Sequence, residues 1–87
     1  MIQGFAGSHV LIFGGAGFIG QHLSRALALS GAKVRCFDLN APKPNSIVSD
    51  LDGQIEWIRG DFSEPAQLER VVRGGDYIFH LVSTTLP

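Results

Sequence analysis

The sequence predicts an α/β fold, with four strands in one parallel sheet of order 3-2-1-4, the first half of a doubly wound architecture. Three observations lead there. Short runs rich in apolar and β-branched residues recur at positions 9–13, 33–37, 54–59 and 76–82. Segments of helical periodicity stand between the first and second runs and between the third and fourth. The first run breaks into Gly14, Gly15, Gly17 and Gly20 where its helix begins. Short connections between such elements imply parallel strands joined by right-handed crossovers.

The run HVLIF at 9–13 has no polar alternation, as expected of a central strand covered on both faces. After the glycines, Ile19, Leu23, Ala26 and Leu27 recur at helical spacing, and Gly31 stands where a left-handed residue would end the helix. KVRCF at 33–37 alternates polar and apolar residues and stops at Asp38. Pro42, Pro44, Asn45, Ser46 and Gly53 then predict a loop, with at most a short helical turn around 47–51. QIEWIR at 54–59 reads as the third strand, with Trp57 in the core. Ser63 is placed to cap a helix over SEPAQLERVV. Glu64 and Pro65 lie in its first turn, Leu68, Val71 and Val72 form its apolar stripe, and Arg70 and Arg73 sit at the negative end of its dipole. Gly74 and Gly75 end that helix, and DYIFHLV at 76–82 is the fourth strand.

Composition narrows the function classes. The 87 residues have room for one domain, and 45% hydrophobic against 17% charged residues suits a buried sheet rather than a disordered chain. A net charge of -1 provides no electrostatic footing for nucleic acid or an acidic membrane as main partner. The one cysteine, Cys36, cannot form an internal disulfide and reads as a buried thiol, as suits a reducing cytosol. The N-terminal residues do not form a secretory signal, and no apolar run approaches the roughly 18 residues of a membrane span. The expectation is a soluble, cytoplasmic chain.

The glycines carry the chemistry. Gly15, Gly17 and Gly20 fit GxGxxG, while Gly14, Gly17 and Gly20 fit GxxGxxG. Either pattern turns the chain sharply off the strand, lets backbone approach a phosphate where no Cβ intervenes, and brings the helix close to the sheet. The helix then offers unpaired N–H groups and the positive end of its dipole to an anion, and a pyrophosphate fits. A tight turn without a ligand would use the same glycines. The apolar strand before them, the helix after them and Asp38, 18 residues past Gly20, favour a dinucleotide. A carboxylate there can accept hydrogen bonds from the adenosine ribose and repels a 2′-phosphate, which favours NAD. Arg35 and Lys43 keep NADP open, and a solvated turn residue remains the plainer reading of Asp38.

VLIFGGAGFIGQHL, CFDLN, RGDF and DYIFHLVSTT, in that order, resemble the N-terminal part of the extended short-chain dehydrogenase/reductase family, above all its NAD-dependent nucleotide-sugar epimerases and dehydratases. The resemblance implies a Rossmann-like fold in which Gly14, Gly17 and Gly20 hold the NAD pyrophosphate, with the backbone of Phe18 and Ile19 nearby. It further implies that Asp38 binds the adenosine ribose and that Asp61 approaches the adenine amino group, with Phe62 alongside. Leu81, Val82 and Ser83 would line the ribose and lead toward the nicotinamide. Phe13 departs from the threonine or serine usual before the glycines. Plainer readings stand beside these: Asp61 as a turn residue, His80 as an interior histidine, and residues 83–85 as a polar strand end.

The same family needs a tyrosine with a lysine four residues later. Here the only tyrosine is Tyr77, followed at that spacing by Leu81, and Lys33 and Lys43 both lie upstream. Residues 1–87 are therefore expected to be the NAD-binding, N-terminal part of a longer enzyme, with the nucleotide sugar and the catalytic pair handled elsewhere. The fourth strand would be an uncovered apolar edge, open to a fifth strand or to self-association. The alternative is a nonenzymatic dinucleotide-binding or redox-sensing module.

Overall fold

In the computed structural model, residues 4–40, 42, 46–51, 53–61 and 63–81 are described. The apolar run becomes β1 (His9–Phe13), followed by α1 (Phe18–Leu29) and β2 (Lys33–Asp38). A single 3-10 turn (Ser49–Leu51) precedes β3 (Ile55–Arg59), α2 (Pro65–Val72) and β4 (Tyr77–His80). All pairings are parallel and the strand order is β3-β2-β1-β4, as the sequence predicts.

Burial explains the unalternated first strand. Val10 and Ile12 face α1 and join Leu27, Ala28, Val34, Cys36, Val48, Leu51 and Ile55 in one cluster. Leu11 and Phe13 face the other way and pack with Phe37 and Val71 on the α2 side. Each such side chain contributes about 1.5–3 kcal/mol on burial, so both faces of β1 must be apolar and alternation disappears. Trp57 and Phe79 pack against the α1-side cluster. Phe13, in place of a small hydroxyl residue, stands edge-on to Phe37 at 5.8 Å and to His80 at 5.9 Å, exchanging a local hydrogen bond for aromatic packing.

Two expectations need correction. The buried face of α1 is Gly20, Ser24, Leu27 and Ala28, whereas Ile19 is 66% exposed. The first turn of α1 lies so close to the glycine turn that only small residues fit beneath it, and the larger Ile19 points away. Nor does Ser63 cap α2. The helix starts at Pro65 behind Glu64, which makes no side-chain cap bond. The Ser63 hydroxyl and amide instead donate to Asp61 Oδ1 at 2.7 and 2.9 Å. Ser63 thus stands one residue ahead of the cap position, and its donors close a local turn back onto the Asp61 carboxylate. At the other end of α1, Gly31 takes φ +92°, and Ala32 N–H reaches back to the Leu27 carbonyl at 3.1 Å, as a left-handed C-terminal residue allows.

The four glycines after β1 have separate duties. Gly14 takes φ +88° and its N–H donates to the Phe37 carbonyl at 2.9 Å, so the chain leaves β1 still bonded to β2. A Cβ on Gly20 would lie on the Gly14 carbonyl oxygen and 2.8 Å from Gly15 Cα. On Gly15 it would lie 2.6 Å from Cys36 Cβ and Sγ. On Gly17, at φ -73° and ψ 173°, it would meet only the Gly14 carbonyl oxygen, at an ordinary 3.5 Å. Gly15→Ala should therefore lower the unfolding free energy by about 1–3 kcal/mol through overpacking against Cys36. Gly17→Ala should change it by no more than about 0.5 kcal/mol, urea denaturation providing the comparison.

Candidate functional site

Parallel strands deliver all their C-terminal ends to one side of the sheet, and the sequence-predicted site residues among those described lie on that side. Gly14 to Gly17 form the turn off β1, and Phe18 and Ile19 open α1. Asp38 ends β2, and the Gly60 N–H donates to its carbonyl at 2.9 Å, which brings Asp61 to the same edge. Leu81 follows β4 and donates its N–H to the Phe13 carbonyl at 2.9 Å. Phe62, Val82 and Ser83 lie outside the described residues, as do Lys43, Thr84 and Thr85.

A cleft of about 890 Å³ opens between the start of α1 and the chain after β2, and Gly17, Phe18 and Asp38 line it. Gly14 and Gly20 support it from within the turn, while Ile19, Asp61 and Leu81 are not part of its wall. Sequence reading passed over Ala16, Gln21, His22 and Asn40, which also line it. Only Asn40, two residues past Asp38, carried a signal of its own, because an aspartate commonly bonds the backbone two residues on. That bond is present: Asn40 N–H donates to Asp38 Oδ1 at 3.1 Å. Ala16 N–H donates to Asp38 Oδ2 at 3.0 Å. A carboxylate has about four acceptor positions, so each oxygen retains capacity for a hydroxyl from a ligand.

The positive end of α1 is left uncompensated by its own side chains. Gly17 makes no side-chain cap bond, and no acidic residue stands in the first turn to neutralise the dipole. Phe18 is 80% exposed, and its ring meets His22 edge-on at 4.6 Å beside the cleft. At β3's end, Gly60 is required by packing, since a Cβ there would lie 2.8 Å from the Phe37 ring. The two Ser63 hydrogen bonds hold the Asp61 carboxyl below the usual carboxylate range, so it is an anion at neutral pH. Among the described residues there is no cluster of three or more potential metal ligands, and no helix is long and apolar enough to cross a membrane.

Beneath the turn, Ser24 donates to the Gly20 carbonyl at 2.6 Å, and its oxygen lies 3.1 Å from Cys36 Sγ. Burial pushes the Cys36 thiol up to about 12, against a lowering by Ser24, and the nearby Asp38 charge adds to the rise. Cys36 is thus packing material rather than a nucleophile.

Comparison with known proteins gives this site a context. Residues 10–86 match the model of the NAD dependent epimerase/dehydratase family. Short-chain dehydrogenase/reductase family 42E member 1 of Danio rerio is 37% identical over 73 residues, 84% of this chain and 18% of that protein. The chain thus spans under a fifth of that relative's length. An epimerase from Methanothermobacter thermautotrophicus has a solved structure that superposes with TM-score 0.74 at 32% identity, over 92% of this chain and 24% of its own. Uronate dehydrogenase from Agrobacterium tumefaciens, solved as a mutant complexed with NAD, superposes with TM-score 0.70 at 27% identity, over 94% of this chain and 29% of its own.

The Cys36 thiol predicts a pH effect of known sign. Its folded value lies above the ordinary 9.0, so its contribution to stability is complete below pH 9 and is lost as pH rises toward about 12. Urea midpoints measured across that range should fall more steeply for the parent than for Cys36→Ala.

Proposed function

The chain belongs to the NAD-dependent epimerase/dehydratase family, and from that premise we propose that it is the dinucleotide-binding part of a longer enzyme of this family. Gly17 carries the reading. Backbone angle accounts for Gly14 and close packing for Gly15 and Gly20, but neither demands glycine at Gly17, whose φ suits any residue and whose Cβ would meet a single atom at contact distance. What a Cβ there would obstruct is the mouth of the cleft, where a pyrophosphate would sit against the first N–H groups of α1.

In this reading the backbone of Gly17, Phe18 and Ile19 holds the pyrophosphate and Asp38 accepts the adenosine ribose hydroxyls. Asp61 and Phe62 serve the adenine edge, and Leu81, Val82 and Ser83 lead toward the nicotinamide. NAD, when bound, supplies hydride acceptance and return at a substrate carbon. This chain's residues bind and orient the dinucleotide, and the proton is handled outside them, since Tyr77 has no lysine four residues on. A nucleotide sugar is the substrate class that the epimerase and dehydratase resemblance favours. Among the described residues β4 ends the sheet, and its side chains Tyr77 and Ile78, on opposite faces, are 46% and 51% exposed; the unpaired edge supports a sheet that continues, in the longer enzyme or by pairing with a second copy.

NAD rather than NADP follows from Asp38. Arg35, a candidate for a 2′-phosphate, is engaged elsewhere, with Nε 2.9 Å from Glu56 Oε1 and Nη1 3.1 Å from the Val71 carbonyl. Arg59 is the cation nearer this edge, its Nε donating to the Leu39 carbonyl at 3.1 Å. Calorimetric titration with both dinucleotides tests the assignment. NAD should bind more tightly than NADP, and Gly17→Val should weaken NAD binding at least about tenfold while leaving the unfolding midpoint near the parent's. No binding by the parent, or equal binding by the variant, would overturn the reading.

A further inference from the structure

Ala16 sits between two glycines, Gly15 and Gly17, and side chains from outside the turn hold its main chain on both sides. Its N–H donates to Asp38 Oδ2 at 3.0 Å, across 22 residues of sequence. Its carbonyl accepts from Gln21 Nε2 at 2.6 Å. Both bonds are partly buried, which protects them from competing water. The turn's own backbone bond, Gly17 N–H to the Gly14 carbonyl, is longer at 3.2 Å, near the outer limit of a good N–H to O bond. The side chains therefore supply the shorter restraints.

We propose that Asp38 and Gln21 are positioning residues that hold the two peptide units on either side of Ala16 in their cradle geometry, Asp38 the Gly15–Ala16 unit through its N–H and Gln21 the Ala16–Gly17 unit through its carbonyl. This proposal rests on the dinucleotide reading above and deepens it: the carboxylate that would read the ribose also sets the turn that would read the phosphates. Glycine-flanked backbone loses the most conformational freedom when it is ordered. A turn already ordered in the free protein removes that cost from binding, and affinity gains accordingly. Nucleotide choice and phosphate affinity are then coupled through one side chain. Any replacement of Asp38 that admits a 2′-phosphate but lacks an acceptor also releases Ala16.

Amide hydrogen exchange measured by NMR on the full chain without ligand separates the clamp from direct cofactor contact. Asp38→Ala should speed exchange at Ala16 about tenfold, the equivalent of one net hydrogen bond, with β1 and the body of α1 unchanged. Asp38→Asn, whose amide oxygen can still accept, should restore the parent rate. Gln21→Ala should speed exchange at Gly17, which shares a peptide unit with the Ala16 carbonyl, and should weaken NAD binding about fivefold to tenfold. Unchanged exchange at Ala16 in Asp38→Ala overturns the proposal. So does a Gln21→Ala variant with a loosened turn and an unaltered NAD affinity. A parent that does not bind NAD overturns the dinucleotide reading instead, and the ligand-free exchange rates then judge the clamp by themselves.

Discussion

The close seat of α1 on the glycine turn is the constraint from which the rest of the site follows. Gly20 lies against the Gly14 carbonyl and Gly15 lies against Cys36, with no room for a Cβ at either position. This contact sets how near the helix comes to the sheet, and so why its buried face carries Gly20 and Ser24 where larger residues would ordinarily serve. It also brings the first turn of α1 and the end of β2 to one cleft. Had the helix stood further off, its positive end and the Asp38 carboxylate would not share a cleft.

The polarity of the sheet does the remaining assembly. Four parallel strands bring β1, β2, β3 and β4 to one edge with their C-terminal ends, and residues far apart in sequence become neighbours there. The distance in sequence between Ala16 and Asp38 is closed by the register of β1 and β2, in which Phe13 stands opposite Phe37. The edge is held from below by apolar packing on both faces, and the polar groups at the edge stand outside that packing. Cys36 illustrates the division. It lies under the turn, bonded to Ser24 and raised toward a neutral thiol by burial, and contributes volume where a reactive group would be out of place.

Much of this was legible from the chain alone. The four strands, the left-handed Gly31 and the burial of Cys36 follow from patterns with a local cause. What could not be read were the contacts that depend on where distant residues arrive. Ser63 has the composition of a cap, but the helix begins one residue later, behind Glu64, and Ser63 turns back onto Asp61. Ile19 has the spacing of a core residue, but the crowding beneath the first turn turns it outward. Gln21 carries no sequence signal as a restraint, because its role exists only once the turn has folded back over it.

By itself the sequence determined the class of fold, the order of its elements and the position of a phosphate-shaped turn, because strand and helix periodicity and the special freedom of glycine are properties of neighbouring residues. Only the tertiary structure decided what each glycine is for. Gly14 satisfies a backbone angle, Gly15 and Gly20 satisfy packing, and Gly17 answers neither demand. That distinction rests on distances between atoms brought together by folding, and no one-dimensional pattern contains it.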